Sequence, residues 1–119
     1  MNKVIITAFI FLLAGCSALP IPQSGSVTDW KAYGEQRGQK GLLKQTESRL
    51  AKQDKTGTFN RALYAAYLEG YQQGRLIYCE QNPYMLGVVG KPYYGVCDDL
   101  NPFYYQDYMS GRSATAGRL

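Results

Sequence analysis

The stretch FNRALYAAYLEGYQQGRLIYC, residues 59–79, decides the fold. Leu63, Tyr64, Tyr67, Leu68 and Tyr71 recur at intervals of three and four, which puts them on one apolar, aromatic face of a helix. Arg61, Glu69, Gln72, Gln73 and Arg75 fall on the wetter side. A single helix is therefore expected from Phe59 to Cys79. Two glycines, Gly70 and Gly74, lie inside it, where each costs about 1 kcal/mol relative to Ala. The same Gly-x-x-x-Gly spacing recurs at Gly34 and Gly38 in an earlier helical context. Four such positions imply a compensating gain, and close helix–helix approach is the simplest one. Membrane dimerisation through this motif needs an apolar run of about 20 residues. Glu35, Arg37, Glu69, Gln72 and Arg75 surround these glycines, so that use is excluded.

Outward from this helix the punctuation is regular. Ser26 with Asp29 three residues on predicts a helix starting near Thr28 and carrying Trp30 and Tyr33. Leu42 to Lys52 reads as a second amphipathic stretch, with Leu43 and Leu50 seven apart, and Asp54-Lys55-Thr56-Gly57 as a turn. From Asn82 to Asn101 the composition shifts to Gly87, Gly90, Gly95, Pro83 and Pro92 among aromatics, as in a loop or short hairpin. Asn101-Pro102 predicts an N-cap and first helical residue, opening a last helix with Phe103, Tyr104, Tyr108 and Gly111. The expected fold class is mainly α: a small helical domain with a disulfide-closed Gly/Tyr-rich loop or hairpin.

The N-terminus bears on location. Lys3 precedes ten uncharged residues, Val4 to Leu13, too few to span a bilayer and of the length of a signal h-region. Leu13-Ala14-Gly15-Cys16 then resembles the lipobox of bacterial lipoproteins, which implies cleavage before Cys16 and a lipid on its thiol. Ser17 is not the Asp that marks inner-membrane retention in enterobacterial lipoproteins, so the resemblance implies an outer-membrane destination. The domain plan is a signal peptide over 1–15, a lipidated N-terminus and tether over 16–27, and one periplasmic helical domain over 28–119. Removing Cys16 from the three cysteines leaves Cys79 and Cys97. In the oxidising periplasm these default to a disulfide, worth about 3 kcal/mol for a loop of this size. A redox-active pair is the alternative, although the spacing is not C-x-x-C.

Composition narrows the chemistry. The chain of 119 residues has no His, which removes the commonest general base and metal ligand. No G-x-S-x-G is present. Glu69 with Glu80, or Asp98 with Asp99, are conceivable paired carboxylates for glycoside hydrolysis; as solvated charges they need no such role. Residues 30–61 hold eight Lys and Arg against three acids, a basic face suited to anionic lipid or peptidoglycan, or simply to solvent. All 11 tyrosines follow position 30. Of these, Tyr84, Tyr93, Tyr94, Tyr104 and Tyr105 lie in or near the bridged loop, where aromatic faces can stack on sugar rings or fill a core.

The ordered pattern Trp30-x3-Gly34-x3-Gly38-x2-Gly41, Tyr67-x2-Gly70-x3-Gly74-x3-Tyr78-Cys79, Gly87-x2-Gly90-x2-Tyr93-x3-Cys97 and Phe103-x4-Tyr108-x2-Gly111 resembles a family of small Gram-negative lipoproteins. Their domain has no assigned function; YfiL-like lipoproteins are among them. The resemblance covers about residues 29 to 111, implies a helical fold with a Cys79–Cys97 bridge, and carries over no catalytic residue. One departure is Arg37, where the family often has an acid before the second glycine. The resulting expectation is a lipoprotein anchored in the outer membrane through Cys16, with a non-catalytic structural or interaction role in the envelope. Its partner would be an envelope protein or peptidoglycan. The alternative is a peptidoglycan- or glycan-binding module using the tyrosine loop. No cofactor, metal or nucleic acid is expected.

Overall fold

A computed structural model describes residues 19–116; the predicted signal peptide and Cys16 lie outside them. Five helices follow in order: α1 (Val27–Gln39), α2 (Glu47–Gln53), α3 (Arg61–Cys79), α4 (Pro83–Val88) and α5 (Tyr104–Ala116). No strand occurs among the described residues, and the mainly α fold stands.

The glycines explain the architecture. A Cβ on Gly34 would fall 2.8 Å from the Tyr71 nitrogen, and one on Gly38 2.6 Å from the Arg75 nitrogen. In return, a Cβ on Gly70 would collide with the backbone of Lys31, and one on Gly74 would fall 2.8 Å from the Gln39 nitrogen. These are separations that real Cβ atoms do not adopt, so α1 and α3 touch backbone to backbone. The register advances in the same direction on both helices, so they run parallel. The 20-odd intervening residues return the chain to the starting end. A second crossing of this kind joins α4 to α5, where a Cβ on Gly87 would lie 2.8 Å from the Arg112 nitrogen and one on Gly111 3.0 Å from the Val88 nitrogen.

With the helix axes this close, the core lies beside the crossings. Trp30, Tyr33, Leu50, Leu63, Ala66 and Tyr67 form one buried cluster; Tyr78, Leu86, Val96, Cys97, Tyr104 and Tyr108 form another. The expected face of α3 holds: Leu63, Tyr67 and Tyr71 are buried, and Tyr64 and Leu68 partly so. The Ser26 cap also holds, accepting from the Asp29 amide at 3.3 Å.

Several sequence expectations change. The predicted amphipathic helix from Leu42 to Lys52 forms only from Glu47, capped by Thr46. Gly41, at φ +68°, ends α1 in a Schellman motif: Leu42 N donates to Arg37 O and Gly41 N to Gly38 O. Leu43 is consequently outside any helix and exposed, while Leu50 is buried. The predicted loop or hairpin after Asn82 begins with α4, capped by Asn82 with Pro83 in its first turn. At Asn101-Pro102 the side chain of Asn101 instead closes a turn, accepting from Phe103 N, and α5 begins at Tyr104. The stretch read as a tether is laid against the first core from Leu19 onward. Leu19 and Ile21 pack on that core, and the Trp30 indole donates to Ser24 O at 2.9 Å.

The crossing is testable by substitution. Gly34→Ala and Gly70→Ala each push a methyl into backbone and are expected to cost about 2–3 kcal/mol, as overpacked cores do. For a domain of this size that is roughly a 10–20 °C fall in melting temperature, read by circular dichroism. Gly25→Ala, whose Cβ would meet Thr58 at an ordinary 3.6 Å, should stay within about 0.5 kcal/mol of the parent. Equal effects at all three positions would contradict the backbone contact.

Candidate functional site

Cys79, the last residue of α3, and Cys97 form the disulfide, their Cα atoms 5.6 Å apart. The bridge closes a segment made of α4 and the loop Lys91-Pro92-Tyr93-Tyr94-Gly95. That loop has no regular structure of its own, yet its backbone is held at several points. Gly90, at φ +76°, ends α4 in the same Schellman closure that ends α1, with Lys91 N donating to Leu86 O. The Tyr108 hydroxyl donates to Lys91 O at 2.5 Å. The Tyr93 hydroxyl donates to Asp98 Oδ1 at 2.6 Å and accepts from Cys97 N at 2.9 Å.

Arg75 braces the loop from the other side. The sequence put it on the wet side of α3, but its side chain is mostly covered. One of its nitrogens, Nη1, donates to Val96 O at 3.0 Å and to Asp99 Oδ1 at 2.7 Å. The guanidinium holds the Asp99 carboxyl below the usual carboxylate range. The Nε of Arg75 is buried without a partner, at the wall of a cleft of about 540 Å³.

The five tyrosines assigned to a possible surface divide. Tyr104 is 1% exposed, its ring 4.9 Å from that of Tyr93, so it belongs to the second core and leaves the candidate surface. Tyr93 is half-buried and its hydroxyl is committed to the loop, so it offers at most an edge. Tyr84, Tyr94 and Tyr105 are exposed. Pro92 lines two cavities, one with Tyr94 and the other with Tyr105. Tyr94 borders a notch of about 330 Å³ with Lys40 and Lys91, and Tyr105 borders a groove of about 440 Å³ with Tyr93, Met109 and Arg112.

Of the conceivable catalytic carboxylates, three are engaged by other side chains. Glu69 pairs with Lys31 at 3.4 Å, Asp98 accepts from Tyr93, Asp99 is held by Arg75, and Glu80 caps the exposed end of α3. Among the described residues no cluster of His, Cys, Asp and Glu could hold a metal ion, and no helix is long and apolar enough to cross a membrane.

Two structural residues gave no sequence signal. Gln45 is buried and joins three tyrosines: its Oε1 accepts from Tyr33, its N–H donates to Tyr67 Oη, and its carbonyl accepts from Tyr64. Arg75 looked like any solvated helix cation. The short helix α4 was detectable, because Asn82-Pro83 is the same N-cap and Pro pair that was read at Asn101-Pro102.

Together these features define a small all-helical domain, stapled by one disulfide, that presents aromatic side chains from a pinned loop. Residues 29–113 match the family described as "Protein of unknown function (DUF2799)", and the chain belongs to that family. No curated protein and no solved structure matches it.

Burial sets an alkaline limit on this fold. It pushes the Tyr67 and Tyr104 hydroxyls up to about 12 and raises Tyr93, whose bond to Asp98 adds to the effect. An unfolded chain ionises its tyrosines near pH 10 and so sheds these protons first. Stability is therefore intact below about pH 10 and falls as the pH rises from about 10 towards 12, the folded-state range of Tyr67 and Tyr104. Tyrosinate absorbance should rise in two phases, the later one coinciding with loss of helix. A single phase near pH 10 with the helices intact would contradict it.

Proposed function

We propose that this protein is a lipoprotein of the outer membrane, anchored through Cys16 and facing the periplasm, whose helical domain is a non-catalytic interaction module of the envelope. The observation that carries the reading is where apolar surface is left open. Of twelve large hydrophobic side chains exposed among the described residues, ten follow residue 75, Tyr84, Tyr94 and Tyr105 among them. Scattered exposed apolar residues are ordinary, whereas a concentration of them on one half of a small domain is typical of a contact surface. The first half, by contrast, turns its aromatics inward around Trp30.

The docked N-terminal segment suits an anchor. Three peptide units separate Cys16 from Leu19, at most about 11 Å fully extended. Lipid on Cys16 would thus hold the domain close to the bilayer, not on a long leash. Two acyl chains bind a bilayer almost permanently at about 0.8 kcal/mol per buried CH₂. A non-catalytic role is supported by the engagement of Glu69, Asp98 and Asp99 in pairs that serve the fold.

Palmitate labelling in growing cells tests the anchor: the label is expected on the parent and lost with Cys16→Ser, and an equally labelled variant would sink the assignment. For the surface, a photo-crosslinking residue at position 94 or 105 is expected to give discrete adducts in intact cells. The same residue at Gln73, on the exposed face of α3, should give none. Adducts no stronger than at Gln73 would remove the second half as the contact surface.

A further inference from the structure

We propose that the notch beside Pro92 binds an anionic saccharide, a pyranose ring carrying a carboxylate. This inference deepens the contact role proposed for the tyrosine loop and rests on that role, not on lipid at Cys16. The notch, of about 330 Å³, lies where the C-terminal ends of α1 and α3 meet the loop after α4. Its size is at the small end of ligand pockets, which run from about 300 to 1,000 Å³. Buried Tyr78 and Leu86 form the floor, Lys40 and Lys91 the cationic walls, and Tyr94 the rim.

Three properties select the ligand. First, both lysines are set in place by backbone geometry. Lys40 is the C-cap of α1, and Lys91 follows the Schellman glycine of α4, its carbonyl held by Tyr108. Those closures also occupy the carbonyls of Arg37, Gly38, Leu86 and Gly87, and no carboxylate lines the notch. Two lysines therefore line it with no carboxylate among the other lining residues, and an anionic ligand group completes the charge.

Second, Tyr94 is 51% exposed although its loop is fixed, and its hydroxyl has no hydrogen-bond partner among the described residues. An exposed ring on a rigid backbone stacks on the apolar face of a sugar at little entropic cost. Third, Gln39 and Gln81 also line the notch; their amide nitrogens bond Glu35 Oε1 and Tyr78 O, which leaves their side-chain oxygens to accept from ring hydroxyls. A simple anion satisfies the lysines and leaves Tyr94 unused; a neutral sugar does the reverse. A carboxylated pyranose uses both.

The test compares two sugars that differ by the anion. The whole chain, purified in detergent micelles, is titrated with N-acetylmuramic acid and with N-acetylglucosamine, which lacks the lactyl carboxylate, while amide resonances are followed by NMR. N-acetylmuramic acid is expected to shift the amides of Lys40, Lys91 and Tyr94 and to bind at least about fivefold more tightly than the neutral sugar. Tyr94→Ala should weaken it about tenfold, and Lys40→Gln with Lys91→Gln about fivefold. All three positions are exposed, so an unchanged melting temperature is expected of the variants. Equal responses to the two sugars, no response, or insensitivity to Tyr94→Ala would overturn the proposal. So would displacement of the sugar by equimolar inorganic phosphate or by phosphatidylglycerol vesicles, which would make the notch a general anion site. Crosslinks at position 94 that persist without sugar binding would remove this ligand class alone and leave the contact role standing.

Discussion

The constraint on which the rest depends is the contact of α1 with α3 through hydrogen atoms. Gly34, Gly38, Gly70 and Gly74 have no side chain to keep the helices apart, and any Cβ there would run into the facing backbone. At such distances Cα–H groups meet carbonyl oxygens, each contact worth about 0.5–1 kcal/mol, and dispersion is gained along both backbones. The helix propensity lost at four glycines is thus offset locally. The more important consequence is geometric. Nothing fits between the two axes, so the apolar interior must be built on the flanks of the crossing, where the gap to be filled is wide. Large rings suit such a gap. Trp30 and Tyr33 from α1 meet Tyr67 and Phe59 there, with Trp30 and Phe59 centroids 4.9 Å apart.

Tyrosine does what phenylalanine cannot in this arrangement, because its hydroxyl reaches beyond the core to the connecting chain. The segment between α1 and α2 has no backbone ladder of its own. Its polar groups are met by tyrosines: Tyr71 donates to Leu42 O at 2.8 Å, Tyr64 to Gln45 O at 3.0 Å, and Tyr33 to the Gln45 side chain at 2.5 Å. A folded unit below about 100 residues buries too little surface to spare side chains for one purpose. Here each ring fills the interior and its hydroxyl satisfies a loop. The second cluster is closed by Cys79–Cys97, and it is joined to the α1–α3 pair by Arg75 reaching Val96 and Asp99 and by Tyr78, whose ring lies under Gly41.

What was legible in the sequence follows from how local each signal is. The α3 periodicity, the Ser26 cap and the pairing of the two remaining cysteines depend on near neighbours or on counting, and all three stand in the structure. The glycine pairs announced close approach, although their parallel register needed coordinates. The stretch after Gly41 was misread because Leu43 and Leu50 fit a helical spacing, whereas the Schellman turn and the tyrosine hydroxyls, supplied from up to 29 residues away, hold 42–45 outside any helix. Arg75 and Gln45 were invisible for the same reason. Their partners are distant in sequence, and neither residue type suggests burial. Among the surface tyrosines, Tyr104 was misplaced because adjacency says nothing about which of two neighbouring rings turns inward.

That last ambiguity bears on function. Tyr93-Tyr94 and Tyr104-Tyr105 are neighbours in the chain with opposite roles: the rings of Tyr93 and Tyr104 pack against each other at the second core, while Tyr94 and Tyr105 stand exposed. In each pair the inner ring immobilises the backbone from which the outer ring projects. The usual cost of ordering a loop on binding is therefore already met in folding, by Tyr93, Tyr108, the Gly90 turn and the disulfide. A loop and a helix needed only to close a small core would gain nothing from leaving Tyr94 and, on α5, Tyr105 in water, since burying either ring would add stability. Rigid backbone beneath open aromatic rings is what the contact role proposed above requires.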